Sequence, residues 1–195
     1  MARRKQSGNS QTGRLRIVAG IWRSRLLDIA DVDGLRPTSA RIRETLFNWL
    51  STKIPGARCL DLYAGTGALG LEALSRGAAT AVFVERSPIA AMQLEKNIDL
   101  LKTDSATVLK QSAFDYLDRA GDDRFDIVFL DPPFAADLLE ETCRLLARQN
   151  LLADGALVYL EQEQSKPEPQ LPEGWQIKKN KTAGNVRYML VQVER

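Results

Sequence analysis

Apolar positions along this chain follow two periods that take turns. Cys59–Tyr63, Thr80–Glu85, Ala106–Lys110, Phe125–Leu130 and Ala156–Glu161 are short, nearly continuous apolar runs. Such runs suit strands buried on both faces of a sheet. Helical spacing fills the gaps between them, first from about Ala68 to Arg76 with Gly77 as C-cap. A second helix is capped by Ser87, takes Pro88 at its first position and runs to about Lys102. Ala113–Arg119 and Ala136–Gln149 complete the set. Strands alternating with helices predict a mainly parallel sheet with helices on both faces. At the end of the chain the rhythm changes. Trp175–Lys181 and Val186–Val193 alternate around Ala183-Gly184-Asn185, after a loop over Lys166–Pro172. That pattern predicts a closing antiparallel hairpin.

Ahead of this core, which begins near Arg58, lies an extension. Leu15–Ala19 and Arg25–Ile29 read as strands of a small hairpin around Gly20–Arg23. A helix opens at Pro37, Thr38 or Ser39 and runs to about Leu50, with Ile42, Leu46, Trp49 and Leu50 as its apolar stripe. Residues 1–13 are rich in Ser, Gly, Asn and Gln and read as a disordered basic tail. The expected organisation is therefore a tail over 1–13, an extension over 14–53 and an α/β domain over 54–195. The length, 195 residues, suits one such domain plus its extension.

Composition mainly excludes. No apolar stretch approaches the roughly 20 residues of a membrane helix, and the polar, basic start has no apolar core of a secretory signal. Cys59 and Cys143 are far apart, in a strand and a helix, and read as buried small hydrophobes of a reducing cytosol. A cytoplasmic monomer is the expectation. There is no histidine. This rules out Ser-His-Asp and Cys-His catalysis and zinc sites of the H-E-x-x-H kind, and no metal is expected. No G-x-x-x-x-G-K-[ST] occurs, which argues against a P-loop NTPase. Proton handling falls to carboxylates, tyrosine, lysine or water.

Charge is small in total, +2, but uneven. Residues 1–27 hold seven basic groups and no acid, leaving 20 basic against 25 acidic residues in the rest. A basic arm on a mildly acidic body suits a polyanion partner. Its candidate contacts are Arg14, Arg16, Trp22, Arg23 and Arg25. Arg36, Thr38 and Arg43 extend them toward the site described next; for Arg36 and Arg43 plain solvent exposure competes with phosphate contact.

Asp131-Pro132-Pro133-Phe134 follows the strand Phe125–Leu130. Proline has no N–H for a ladder, so the pair ends the strand at once. An acid, a carbonyl and a flat ring are left at the carboxyl edge of the sheet, where open α/β folds bind ligands. Together they suit a flat base with an exocyclic amine. Upstream, Gly65, Gly67 and Gly70 have G-x-G-x-x-G spacing between a strand and a helix, and Glu85 lies 20 residues after Gly65, as an acid that binds ribose hydroxyls does. This pattern alone fits an NAD enzyme as well as an S-adenosylmethionine enzyme. Asp61 tips the balance, because its carboxylate suits a cationic amino-acid end and repels a pyrophosphate. The Asp131 motif, which has no task in hydride transfer, tips it further.

Three blocks then carry a resemblance over nearly the whole chain: Leu35–Leu50, Asp61–Ser75 and Asp131–Phe134. The chain resembles the bacterial family of 16S ribosomal RNA guanine-N2 methyltransferases that modify guanine 966. The second and third blocks are shared with many amino-methyltransferases; the first points to this family. The resemblance implies a class I methyltransferase (Rossmann-like) fold with seven strands. It implies S-adenosylmethionine as donor, S-adenosylhomocysteine as product, and 16S rRNA in the small (30S) subunit as substrate. The cofactor residues expected are Asp61, Tyr63, Ala64, Gly65, Thr66, Gly67, Gly70, Glu85, Arg86, Ser112, Ala113 and Asp131. Asp131, Pro132, Pro133 and Phe134 are the expected catalytic set. Ser112 departs from the family pattern, which often has Asp or Asn there for the adenine amine, so its hydroxyl and the N–H of Ala113 are expected to meet the adenine. Two alternatives stand beside this reading: an amino-methyltransferase of DNA or other RNA, and a non-enzymatic RNA-binding assembly factor.

Overall fold

In the computed structural model, residues 13–119, 121 and 123–194 are described; the expected tail over residues 1–12 lies outside them. An antiparallel hairpin, β1 (Arg14–Arg16) and β2 (Leu26–Asp28), comes first. It is shorter than its alternation predicts, for a visible reason. The N–H groups of Val18 and Ala19 leave the ladder and donate to the Glu72 carboxylate, each at 2.9 Å. Helix α1 (Ala40–Trp49) follows, and the Ser39 side chain accepts the Ile42 N–H as its cap. Such a cap is worth about 0.5–2 kcal/mol.

The core alternates as expected: β3 (Arg58–Asp61), α2 (Ala68–Ser75), β4 (Thr80–Val84), α3 (Pro88–Leu101), β5 (Ala106–Leu109), α4 (Ala113–Asp118) and β6 (Phe125–Leu130). Then come α5 (Leu139–Arg148), β7 (Leu152–Glu163), β8 (Trp175–Ala183) and β9 (Val186–Val193). Seven strands join in the order β5-β4-β3-β6-β7-β9-β8. The first four pairings from β5 to β7 are parallel, and the last two are antiparallel.

Two boundaries differ from the periodicity. Helix α5 starts at Leu139 rather than Ala136, because Phe134–Ala136 close a 3-10 turn and Asp137 takes a left-handed φ of 50°. Strand β7 runs well beyond Ala156–Glu161, since it is paired on both sides, with β6 and with β9.

Side chains alternate across β6 and define the two layers. Ile127 and Phe129 join a core cluster with Leu46 and Phe47 of α1, Leu71 of α2 and Leu15, Ile17 and Leu27 of the hairpin. Val128 and Leu130 join the opposite cluster, with Leu139, Cys143 and Leu146 of α5. The N-terminal extension is therefore packed into the main core rather than hung beside it. Truncating a buried leucine such as Leu46 to alanine costs about 2–5 kcal/mol. Both cysteines are buried and free, and desolvation pushes each thiol up to about 12.

Candidate active site

Strands β3 and β6 are neighbours, yet the chain leaves them in opposite directions across the sheet, toward β4–β5 and toward β7. Open α/β sheets bind ligands in the crevice at such a switch point. Asp61 ends β3 and Asp131 follows β6, with Asp61 paired to Phe129 in register. The two acids thus reach the same crevice from sequence positions far apart.

Asp61 is 2% exposed, and its carboxylate accepts the N–H of Gly70 at 3.1 Å. Burial pushes its pKa up to about 7, against the pull of the Gly70 N–H; the carboxylates of Asp131 and Glu85 add to the rise. Asp61 therefore braces the glycine loop from below. Gly67, with φ 75°, caps α2, and its N–H closes the turn onto Ala64 O at 2.7 Å. Gly70 is required for packing, since a Cβ there runs into the Phe83 ring. The loop is roofed by the extension: a Cβ on Gly65 would sit 3.1 Å from Leu35 Cδ1.

Glu85 sits at the rim, half-buried, where its spacing from Gly65 leads one to look for it. Its carboxylate accepts the Gly65 N–H at 2.8 Å and the Ser87 N–H at 2.7 Å. Arg86 beside it is exposed, while Ala64 and Thr66 are buried in the loop. Two residues expected at the cofactor have their hydroxyls engaged by protein. The Tyr63 hydroxyl shares a 2.6 Å hydrogen bond with Thr142 of α5. The Ser112 hydroxyl caps α4, donating to the Asp115 carboxylate at 2.6 Å and accepting the Asp115 N–H at 3.1 Å. That hydroxyl is engaged by the helix end. Ala113 opens the helix and is buried.

On the other side of the crevice, Asp131 accepts the Thr38 hydroxyl at 3.3 Å. The residue is half-buried. Desolvation pushes its pKa up to about 6, with the Thr38 hydroxyl acting the other way. Pro132 is buried, Pro133 exposed and Phe134 half-buried. Lys166 clasps this loop from the far side, donating to Phe134 O and to the Asp137 carboxylate, each at 2.9 Å.

A small cleft joins Pro132, Pro133 and Phe134 to Leu138 and Glu161. Glu161 escaped the sequence reading as a site residue. It is 4% exposed, and its carboxyl accepts the Tyr159 hydroxyl at 2.6 Å. Burial, then the nearby Asp131 carboxylate, push its pKa up to about 8. The signal was present: Tyr159-Leu160-Glu161 puts both groups on one face at a strand end. Only the register, Leu130 opposite Leu160, sets that end beside Asp131.

The expected polyanion contacts divide. Arg14, Arg16, Arg23, Arg25 and Arg36 are exposed, and Trp22 is half-buried against the core. Arg43 is a correction. It is 2% exposed and donates to Thr38 O at 3.1 Å, Glu72 at 3.1 Å and Arg16 O at 2.9 Å. A guanidinium enclosed in this way reaches no phosphate. Thr38 likewise is buried at the site rather than on an outer surface.

A sequence model of the family described as Conserved hypothetical protein 95 matches residues 15–192. The chain belongs to this family. It is 47% identical over 190 residues to the Escherichia coli K12 protein named Ribosomal RNA small subunit methyltransferase D, covering 97% of this chain and 96% of that one. The solved structure of yhhF from Escherichia coli superposes with a TM-score of 0.87 at 46% identity, over 93% of this chain and 99% of the other. SMU.776, solved as a complex with SAH, shares the fold at a TM-score of 0.68 and 14% identity, over 87% of this chain and 54% of that one. The fold is thus that of a class I methyltransferase, with its mainly parallel seven-stranded sheet, C-terminal antiparallel hairpin and small N-terminal hairpin.

Proposed function

We propose that this protein transfers a methyl group from S-adenosylmethionine to the exocyclic N2 amine of a guanine in 16S ribosomal RNA of the small subunit. The family and its Escherichia coli member, named as a small-subunit rRNA methyltransferase, support the donor and the substrate class. One observation carries the choice of an amine as acceptor. Asp131, tied to Thr38, stands at the switch point with the Pro132 carbonyl and the Phe134 ring next to it and the glycine loop on the neighbouring strand.

The residues present fit the donor. Gly65 and Gly67 take positive φ values of 52° and 75°, which turn the loop tightly from β3 into α2, so its backbone N–H groups lie at the crevice. Glu85 at the rim has the chemistry for ribose hydroxyls, the Ala113 N–H that for the adenine edge, and Asp61 beneath supplies negative potential for an ammonium group. When bound, S-adenosylmethionine supplies a methyl group on a positively charged sulfur.

The chain's own residues do the rest. Guanine N2 is a poor nucleophile because its lone pair is conjugated with the ring. The Asp131 carboxylate and the Pro132 carbonyl accept the two N2 hydrogens, which localises the lone pair and aims it. Positioning of this kind is worth up to roughly 7–11 kcal/mol. As the N–C bond forms, Asp131 takes the proton that the amine releases. Phe134 stacks on the unstacked base; that unstacking costs a few kcal/mol and is least costly in a loop. The arginines of the N-terminal hairpin and Arg36 meet phosphates.

Transfer of a labelled methyl group to small subunits from cells lacking this protein, beside naked 16S RNA, tests the reading. N2-methylguanosine in the digested product is expected. Tight donor binding with no label on either substrate would overturn it.

A further inference from the structure

We propose that Thr38 is a positioning residue for methyl transfer: its hydroxyl orients the Asp131 carboxylate, and the buried Arg43–Glu72 pair holds Thr38 in place. This rests on the function proposed above and deepens it.

The geometry is a continuous chain of hydrogen bonds from the surface hairpin to the site. Glu72 on α2 accepts the N–H groups of Val18 and Ala19 and is bridged to Arg43 Nη1 at 3.1 Å. Arg43 Nη2 holds Arg16 O at 2.9 Å, and its Nε holds Thr38 O at 3.1 Å. Thr38 Oγ1 then donates to Asp131 Oδ2 at 3.3 Å. Both ends of the Thr38 residue are therefore tied, the carbonyl to a buried cation and the hydroxyl to the carboxylate. Leu35, three residues earlier, lies over Gly65 of the glycine loop. The segment before α1 thus covers both halves of the crevice. With Oδ2 engaged, Oδ1 is the oxygen free to accept an amine hydrogen. A single hydroxyl turns a carboxylate that otherwise spins between equivalent positions into one with a fixed free oxygen.

This placement has a titration consequence. Burial disfavours the Asp131 anion, and the titratable groups that feel its charge are Asp61 on β3 and Glu161 and Tyr159 on β7. Among the described residues, Thr38, from the segment before α1, is the hydrogen-bond donor that favours the anion. Removing the hydroxyl therefore moves the ionisation of Asp131 to higher pH.

The test compares wild type, Thr38→Val and Thr38→Ser on small subunits from cells lacking the protein, measuring kcat, KM for subunits and the pH dependence of kcat. Valine keeps the shape of the side chain and drops the hydroxyl. A roughly 10- to 100-fold fall in kcat is expected for Thr38→Val, the range for one hydrogen bond to a charged group. Subunit KM stays unchanged, the acid limb moves to higher pH, and Thr38→Ser restores both. Higher KM with unchanged kcat and pH limb overturns the proposal and makes the hydroxyl an RNA contact. Failure of Thr38→Ser to restore kcat also overturns it, because the methyl group and not the hydroxyl is then what matters. Absence of transfer by wild type is a separate result, which removes the parent reading.

Discussion

Glu72 and Glu161 are both buried, at 0% and 4% exposure, and they keep opposite company. Glu72 receives four donors: two backbone N–H groups, Arg43 at 3.1 Å and Arg76 at 2.8 Å. Its charge is matched, and its partners come from the hairpin, α1 and the C-terminal end of α2. Glu161 receives one phenol hydroxyl, and the charge that acts on it most is Asp131, of the same sign. Burial alone therefore does not mark a functional acid. The donor set does: a buried acid with matched cations is a staple, whereas an unmatched one beside a cleft marks a site.

Removing the acid at the second centre should produce the largest effect of all. Asp131→Asn keeps the shape and loses the base, so methyl transfer should fall by about 10²–10⁴. The variant should stay folded, and its unfolding midpoint at neutral pH should not fall, because burial already disfavours the Asp131 anion. Near-normal turnover by this variant would mean that the crevice between β3 and β6 is not the reacting centre.

Next comes the staple. Glu72→Ala strands two arginines, one of them buried, and two backbone donors. Breaking a buried ion pair from one side costs about 3–5 kcal/mol. Urea unfolding should show that loss, and a loss below about 1 kcal/mol would erase the distinction between the two acids.

Glu161→Gln should have the smallest effect, and one that depends on pH. The folded state holds the Glu161 proton more tightly than the unfolded state does. The stability it contributes is thus fully present below about 4.5 and lost as pH rises through about 8. Glutamine removes this dependence. The variant should gain on wild type as pH is raised from about 5 to about 8. Thermal unfolding at the two pH values measures it; a variant that loses ground to wild type as pH rises would show that Glu161 is charged and satisfied, like Glu72.

Much of the architecture was legible in local pattern. The five parallel strands, the terminal hairpin and the Ser87 cap follow from periodicity and capping chemistry, because each depends on residues a few positions apart, while the start of α1 was narrowed to three residues of which Ser39 is the cap. The glycine loop and the Asp131 motif were legible for the same reason. Arg43 was not: an arginine in a helix reads as surface until a carboxylate from α2 is known to sit beneath it. The protein partners of the Ser112 and Tyr63 hydroxyls, Asp115 and Thr142, were not legible as such. Glu161 and Lys166 were missed because neither lies within a motif.

By itself the sequence determined the alternation of strands and helices, the turn chemistry of Gly67 and Pro132-Pro133, and the presence of two acids at strand ends. These are short-range consequences of period, backbone freedom and missing donors. Tertiary structure alone decided which acids meet. Strand order puts Asp61, Asp131 and Glu161 along one sheet edge, while the fold of the extension puts Thr38 against one acid and Arg43 against another. Partnership across tens of residues depends on register and packing, and those are settled by the free energy of the whole core rather than by any local segment.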